Sequence, residues 1–270
     1  MATLPTGFAE ALNKAHQAGV RIIRNSHDEF QHPPEPFEIV HAVERHRWFW
    51  RPARVGVVLV AESHVYTSAE DCNQSLDTAM LKPFGRPNSS LPPDSFVRLV
   101  YCLGYGETGL LKDAPGDFNN PGTPRYWDIF GRLTGRGAQP KPERADFATR
   151  LAWKIDTLRA MCRCGIWLLD ASVHAIYLRH GRRLPDAVKA ELHRQWWQHY
   201  GKRVLESCSG AKVWVIGKTV FNCLQCLAGW RCRGWVYQPN YDTTTNWPRL
   251  MVDCAEKPAI LTQDGTAFGK

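Results

Sequence analysis

Glu62, Ser63, His64 and Tyr66 stand together at the end of an apolar run, within Arg54 to Tyr66 (RVGVVLVAESHVY). A carboxylate, a hydroxyl, an imidazole and a phenol in one short stretch supply the acid, base and hydrogen-bonding groups that bond cleavage needs. The run before them, Val55 to Val60, is nearly all β-branched and reads as a strand buried on both faces. Ligands of open α/β sheets bind beyond the carboxyl ends of the strands, so Glu62 reads as a catalytic carboxylate at the mouth of a parallel sheet. Other apolar runs end in the same manner. Gly165 to Leu169 (GIWLL) stops at Asp170, Val213 to Ile216 (VWVI) is followed by Gly217 and Lys218, and Trp235 to Tyr237 runs into Gln238, Pro239 and Asn240. Parallel strands bring such ends to one rim.

The elements that position these groups alternate. Helical spacing covers Gly7 to Ala18 and, densely aromatic, Phe37 to Trp50. Further helices are expected at Tyr126 to Leu133, Arg144 to Met161, Pro185 to Cys208 and Lys218 to Leu227, and Phe96 to Leu103 (FVRLVYCL) reads as an additional strand. Thr67 to Pro93 and Gly104 to Gly122 are polar and rich in turn formers, hence long loops beyond strand ends, where function concentrates. Strands alternating with helices predict a three-layer α/β/α sandwich with a central, mainly parallel sheet, built as a single domain over 1–270 with a helical extension over 1–50.

The chain of 270 residues is 44% hydrophobic and carries a formal net charge of +8. It is expected to fold as a globular protein and to favour an anionic partner, nucleic acid first. Its 11 tryptophans and many arginines suit stacking on bases and gripping phosphates. No signal peptide or membrane span is read, and the nine scattered cysteines look like reduced thiols, so a cytoplasmic protein is expected. Cys223, Cys226 and Cys232 lack a second Cys-x-x-Cys or a histidine at zinc-finger spacing, and no metal or other cofactor is expected.

The motifs and their order resemble the uracil-DNA glycosylase superfamily. There an apolar strand ends in Gly-Gln-Asp-Pro-Tyr-His or Gly-Glu-Ala-Pro-Gly; here Ala61, Glu62, Ser63 and His64 take that place, with Glu62 at the acid of the second version. The family's Gly-Val-Leu-Leu-Leu-Asn-Thr strand is similar to Gly165 through Ala171, and a later strand with Gly-Lys to Val213 through Lys218. Its closing His-Pro-Ser or Asn-Pro-Ser matches Gln238, Pro239, Asn240 and Tyr241 loosely. Phe118 through Trp127 looks like the Phe-x-Gly-Pro-Gly-Asn-Arg-Phe-Trp stretch of the mismatch-specific branch. The resemblance spans about Arg54 to Asn246 and leaves the first fifty residues uncovered.

It implies base flipping and hydrolysis of an N-glycosidic bond, with Glu62 stabilising sugar charge and placing a water, and His64 as an alternative general base. Phe118 would stack on the base, with Tyr66, Tyr101 and Tyr105 as alternatives. Ser63, Asp170 and Gln238 would bind its polar edge, while Arg125, Lys218, Asn240, Tyr241 and the run Arg179, Arg182, Arg183 would meet DNA. Asp170 stands where the family has an asparagine. An ionised carboxylate only accepts, so it suits the exocyclic amine of cytosine better than the O4 of uracil. The expectation is a monofunctional, monomeric glycosylase for a modified or damaged pyrimidine, foremost a modified cytosine such as the hydroxymethylated or glucosylated base of phage DNA. The alternatives are a uracil or mismatch repair glycosylase, a non-catalytic binder of damaged or single-stranded DNA with the same fold, and an unrelated α/β enzyme acting on a nucleotide or small anion. The last is disfavoured by the absence of a phosphate-binding or dinucleotide fingerprint.

Overall fold

Four apolar segments, β1 (Val57–Ala61), β2 (Ile166–Asp170), β3 (Lys212–Ile216) and β4 (Gly234–Val236), pair in parallel in the order β2-β1-β3-β4. They belong to a computed structural model that describes residues 4–26, 33–84, 92–112, 122–141, 144–177, 183–237 and 245–256. Every residue of β1 and β2 is buried, the state of strands covered on both faces.

The connections explain that cover. From β1 the chain passes through α3 (Ala69–Cys72), α4 (Pro124–Leu133) and α5 (Phe147–Arg163) to β2 on one side. From β2 it returns across β1 to β3 through α6 (Asp186–Trp196), a π-helical turn (Trp197–Gly201) and α7 (Lys202–Glu206), and α8 (Lys218–Gln225) leads on to β4. Right-handed crossovers running in opposite directions lay their helices on opposite faces. Strand register agrees. Trp167 lies beside Val58 and Trp214 beside Leu59, so the two indoles leave the sheet on opposite faces. Trp167 Nε1 donates to the carbonyl of Arg47 (3.0 Å) in α2 (Phe37–Phe49). Trp214 Nε1 donates to Asp253 (2.8 Å) in α9 (Trp247–Ala255). The reversal of direction falls between β1 and β3, where a crevice forms at the carboxyl ends of strands.

α1 (Phe8–Asn25) and α2 join the main core: Leu12, Ala15, Val40 and Val43 pack in one cluster with β1 and β2.

Two expectations are corrected. Phe96 to Leu103 is not a strand but a series of turns. Its apolar residues are nonetheless buried, and periodicity does not separate a buried loop from a buried strand. It covers the outer edge of β2 with a side chain: Tyr101 Oη accepts the amide of Leu168 (2.8 Å). The helix expected from Pro185 to Cys208 carries the π-turn in its middle. Gly201 closes on Trp196 there, where a Cβ would come within 2.5 Å of the indole. The turn aims Tyr200 at Glu44 (2.7 Å).

Three histidines are buried and held neutral. Burial lowers His46, His174 and His193 to about 4, and Arg45 and Lys189 add to the effect at His46 and His193. Between the ordinary value of 6.5 and about 4 the unfolded chain binds more protons than the folded one, so stability drops as pH falls through that window. Each shift is worth on the order of 3 kcal/mol at the acid end. Urea midpoints should therefore fall steadily from about pH 6.5 to about pH 4, and replacing His193 with Leu should flatten that slope.

Candidate active site

The strand ends open into two adjoining hollows. The first, about 260 Å³, lies beyond β1 and β2 and is lined by Ser63, His64, Leu168, Asp170, Tyr126 and Tyr177 among others. That is just below the ~300 Å³ at which drug-sized pockets begin, room for one substituted ring. The second, about 230 Å³, lies where β1 and β3 part and is lined by Glu62, Lys189, Gly217, Lys218 and Thr219 among others. Tyr177 and Arg183 line both and form the shared wall. Asp170 pairs in register with Ala61, so Glu62, one residue further, belongs to the opposite face of the sheet. Glu62 and Asp170 share the rim, but strand alternation sends them into neighbouring hollows.

Glu62 is buried, with both oxygens engaged. Tyr177 Oη donates to Oε2, and Lys189 Nζ lies 3.8 Å from Oε1 while also pairing with Asp186 (2.6 Å). An ionised carboxylate has about four lone-pair directions, so these contacts orient the group and leave room for a water.

Asp170 belongs to a buried ladder of charges. Arg47 pairs through one guanidinium nitrogen with Glu44 and through another with Asp170 Oδ2. Glu44 also accepts from Tyr200 Oη. Beyond Asp170 stands His64, its Nδ1 3.8 Å from Oδ2, within reach of charge but too far for a hydrogen bond. His64 Nε2 donates to Glu35 Oε2 (3.0 Å). Glu35 also accepts the amides of Thr67 and Ala175, each at 2.9 Å, tying together the loops after β1 and β2. Burial opposes the imidazolium, but Glu35 and Asp170 outweigh it and raise His64 to about 9. Burial likewise opposes the Glu35 carboxylate, and His64 with the two amides overcomes it, holding the group below its ordinary range. The two carboxylates thus favour the protonated imidazole, in which both ring nitrogens are donors. Its Nδ1 is buried and without a hydrogen-bond partner among the described residues, and His64 is one of the residues around the first hollow.

The aromatic walls of that hollow are Tyr126 and Tyr177. Burial, reinforced by Asp170, Tyr177 and Glu62, raises the Tyr126 phenol well above its ordinary value and keeps it neutral. Arg125 lines the first hollow and is exposed, and Lys218 is exposed at the second hollow. Ser63 lines the first hollow, but its hydroxyl donates to the His64 carbonyl (2.8 Å) and accepts the Ile176 amide (2.9 Å), which shapes the loop. Tyr66, expected at the base, is buried in a satellite cluster with Ile23, Ala175 and Ile176 and does not line the hollow. Tyr101 is committed to the β2 edge, and Tyr105 is buried in the core. Phe118, Gln238, Asn240, Tyr241, Arg179 and Arg182 lie outside the described residues. Cys223, Cys226 and Cys232 are free thiols, and no metal-holding group of His, Cys, Asp and Glu occurs among the described residues.

Sequence reasoning missed Glu35, Glu44, Arg47, Tyr126, Tyr177 and Lys189. The one local signal was the i,i+3 pair of Glu44 and Arg47 in an aromatic-rich helix that also carries Glu38, His41, Arg45 and His46. No family model, no curated protein and no solved structure matches this chain. Among the described residues no helix is long and apolar enough to cross a membrane.

Removing Arg47 takes the buried cation from between two carboxylates, leaving Glu44 with Tyr200 and Asp170 with His64. Arg47→Met should therefore lower unfolding free energy by about 3–5 kcal/mol in urea titrations. Lys at the same position should recover only part of this, since an ammonium lacks the planar fork that meets two carboxylates at once.

Proposed function

We propose that the chain is a DNA glycosylase that hydrolyses the N-glycosidic bond of a flipped-out pyrimidine, foremost a modified cytosine, and leaves an abasic site. The observation that carries this reading is the pairing of a held donor, His64 Nδ1, with a held acceptor, Asp170, on the floor of a ring-sized hollow whose wall adjoins Glu62. The three strands resembling glycosylase motifs, β1, β2 and β3, include two pairs of direct neighbours in the sheet, so their carboxyl ends share one rim. The net charge of +8 and the exposed Arg125, Arg183 and Lys218 around the openings favour a polyanion.

In this reading the base enters the first hollow between Tyr126 and Tyr177. Asp170 accepts from the exocyclic amine, and His64 donates to the neighbouring ring nitrogen or carbonyl. The deoxyribose lies at the Tyr177 wall, with Glu62 behind it. As the bond from C1′ to the base breaks, its electron pair goes to the base, where the imidazolium N–H stabilises it. Positive charge builds on the sugar opposite Glu62, which places a water for attack at C1′ and takes its proton. The products are the free base and the abasic sugar, and no cofactor takes part. A donor beside an acceptor also matches the O4 and N3–H of uracil, which favours a uracil or mismatch repair glycosylase as the second reading.

Incubating the protein with DNAs that contain uracil, plain cytosine, hydroxymethylcytosine or glucosylated cytosine, followed by alkali cleavage and mass analysis of the freed base, decides between them. Release of a modified cytosine is expected; release of uracil alone selects the second reading, and no release from any of them refutes both. Glu62→Gln should slow single-turnover release by roughly 100-fold or more while oligonucleotide affinity stays within a few-fold. The rate should hold through neutral pH and decline above about 9 as His64 loses its proton, a limb that His64→Phe removes.

A further inference from the structure

We infer that Glu35 is a positioning residue for the site: carried in by the N-terminal segment, its carboxylate holds His64 so that Nδ1 stands beside Asp170 as a donor to the bound base. The inference rests on the glycosylase reading and adds to it a region that the sequence resemblance leaves uncovered, since that resemblance begins at Arg54.

The geometry is specific. The Glu35 side chain is almost completely buried, and its two oxygens accept His64 Nε2 and the amides of Thr67 and Ala175. Its backbone carbonyl accepts from His16 Nε2 of α1 (2.8 Å), which anchors the segment from the other side. With Nε2 held by Glu35, the other ring nitrogen, Nδ1, is buried without a hydrogen-bond partner among the described residues and stands 3.8 Å from Asp170, beside the first hollow that both residues border.

Each element around His64 brings its own charge. Glu35 comes from the connection into α2, Asp170 from the end of β2, and Arg47 from α2 by way of Asp170. His174, in the loop after β2, stacks on His16 at 4.9 Å and is held neutral by burial, so it adds no competing charge at neutral pH. Glu35 is the one carboxylate hydrogen-bonded to the imidazole among the described residues. Asp170 is divided between Arg47 and His64 and lies farther away. The Glu35 contact therefore governs both the orientation and the proton of His64.

The test uses Glu35→Gln, which keeps the size of the side chain and an acceptor for one loop amide but removes the charge. Imidazole NMR of the full-length protein with labelled histidine, assigned through His64→Phe and recorded without DNA, reads the titration of His64 directly. The midpoint should fall by about one to three pH units in the Gln variant, while circular dichroism stays native. In single-turnover base release, the alkaline limb should move down with that midpoint, and activity should return as the pH is lowered. Glu35→Asp should restore part of the shift. An unchanged His64 midpoint, or a loss of rate that is equal at every pH, overturns the inference. A shifted midpoint in a protein that releases no base from any DNA refutes the glycosylase reading and leaves the Glu35–His64 pairing standing.

Discussion

The salt bridge between Arg47 and Asp170 is the interaction on which the rim depends. Each partner is nearly sealed from solvent, and each is tied to a further charge: Arg47 to Glu44, Asp170 to His64, and His64 to Glu35. Three carboxylates and two cations are thus buried together, with a phenol and two backbone amides absorbing the excess negative charge. Such a set is costly to desolvate and is tolerated only with nearly every charge matched. The matching partners come from α2, from the connection before it, and from the ends of β1 and β2. The ladder therefore fixes where the N-terminal helices lie as well as what the first hollow presents. A hydrophobic set of similar volume would pack as well without the desolvation cost, so stability alone does not account for charges here.

The strands were legible in the sequence because a parallel sheet leaves long apolar runs, and β1, β2 and β3 lie within a residue or two of where those runs place them. The helices followed from their periodicity, except that α1 runs on to Asn25 past the expected end at Ala18 and the helix expected from Pro185 to Cys208 is broken by the π-turn. Phe96 to Leu103 misled because burial, and not strand geometry, is what an apolar run reports. The site was legible in part. Glu62, His64 and Asp170 stand out as polar groups directly after apolar runs, and all three line the hollows. Their partners were not legible, since Glu35, Arg47, Tyr177 and Lys189 reach the site through tertiary contacts that local spacing does not encode. The protonation of His64 depends on two carboxylates distant in sequence, so its role as base or donor could not be read from the motif.

The separation of Glu62 from Asp170 follows from the pleat. Consecutive strand-end positions in register project to opposite faces, so two carboxylates on neighbouring strand tips share one cavity only if their positions match. Here they are offset by one, and the shared wall of Tyr177 and Arg183 bridges the offset. Tyr177 also fixes Glu62 through its hydroxyl. A ligand with two chemically different ends fits this plan. In the proposed reaction a flat, hydrogen-bonding ring would occupy one side of the wall and a group that gains positive charge would meet the carboxylate on the other, the division that a nucleoside unit offers.

In the proposed reaction the ladder would also couple what recognises the ring to what stabilises its departure. Asp170 accepts from Arg47 and lies beside His64, while Glu35 and Asp170 together favour the proton on His64. Neither property belongs to one residue. A change that weakens the Asp170 anion also weakens the hold on the His64 proton, so discrimination between bases and stabilisation of the leaving base should move together rather than trade off. Glu62 stands outside this coupling, since its contacts run to Tyr177 and Lys189 on the other side of the wall. The two hollows are joined at Tyr177, whose hydroxyl holds Glu62, and Tyr126 feels the charge of both Asp170 and Glu62.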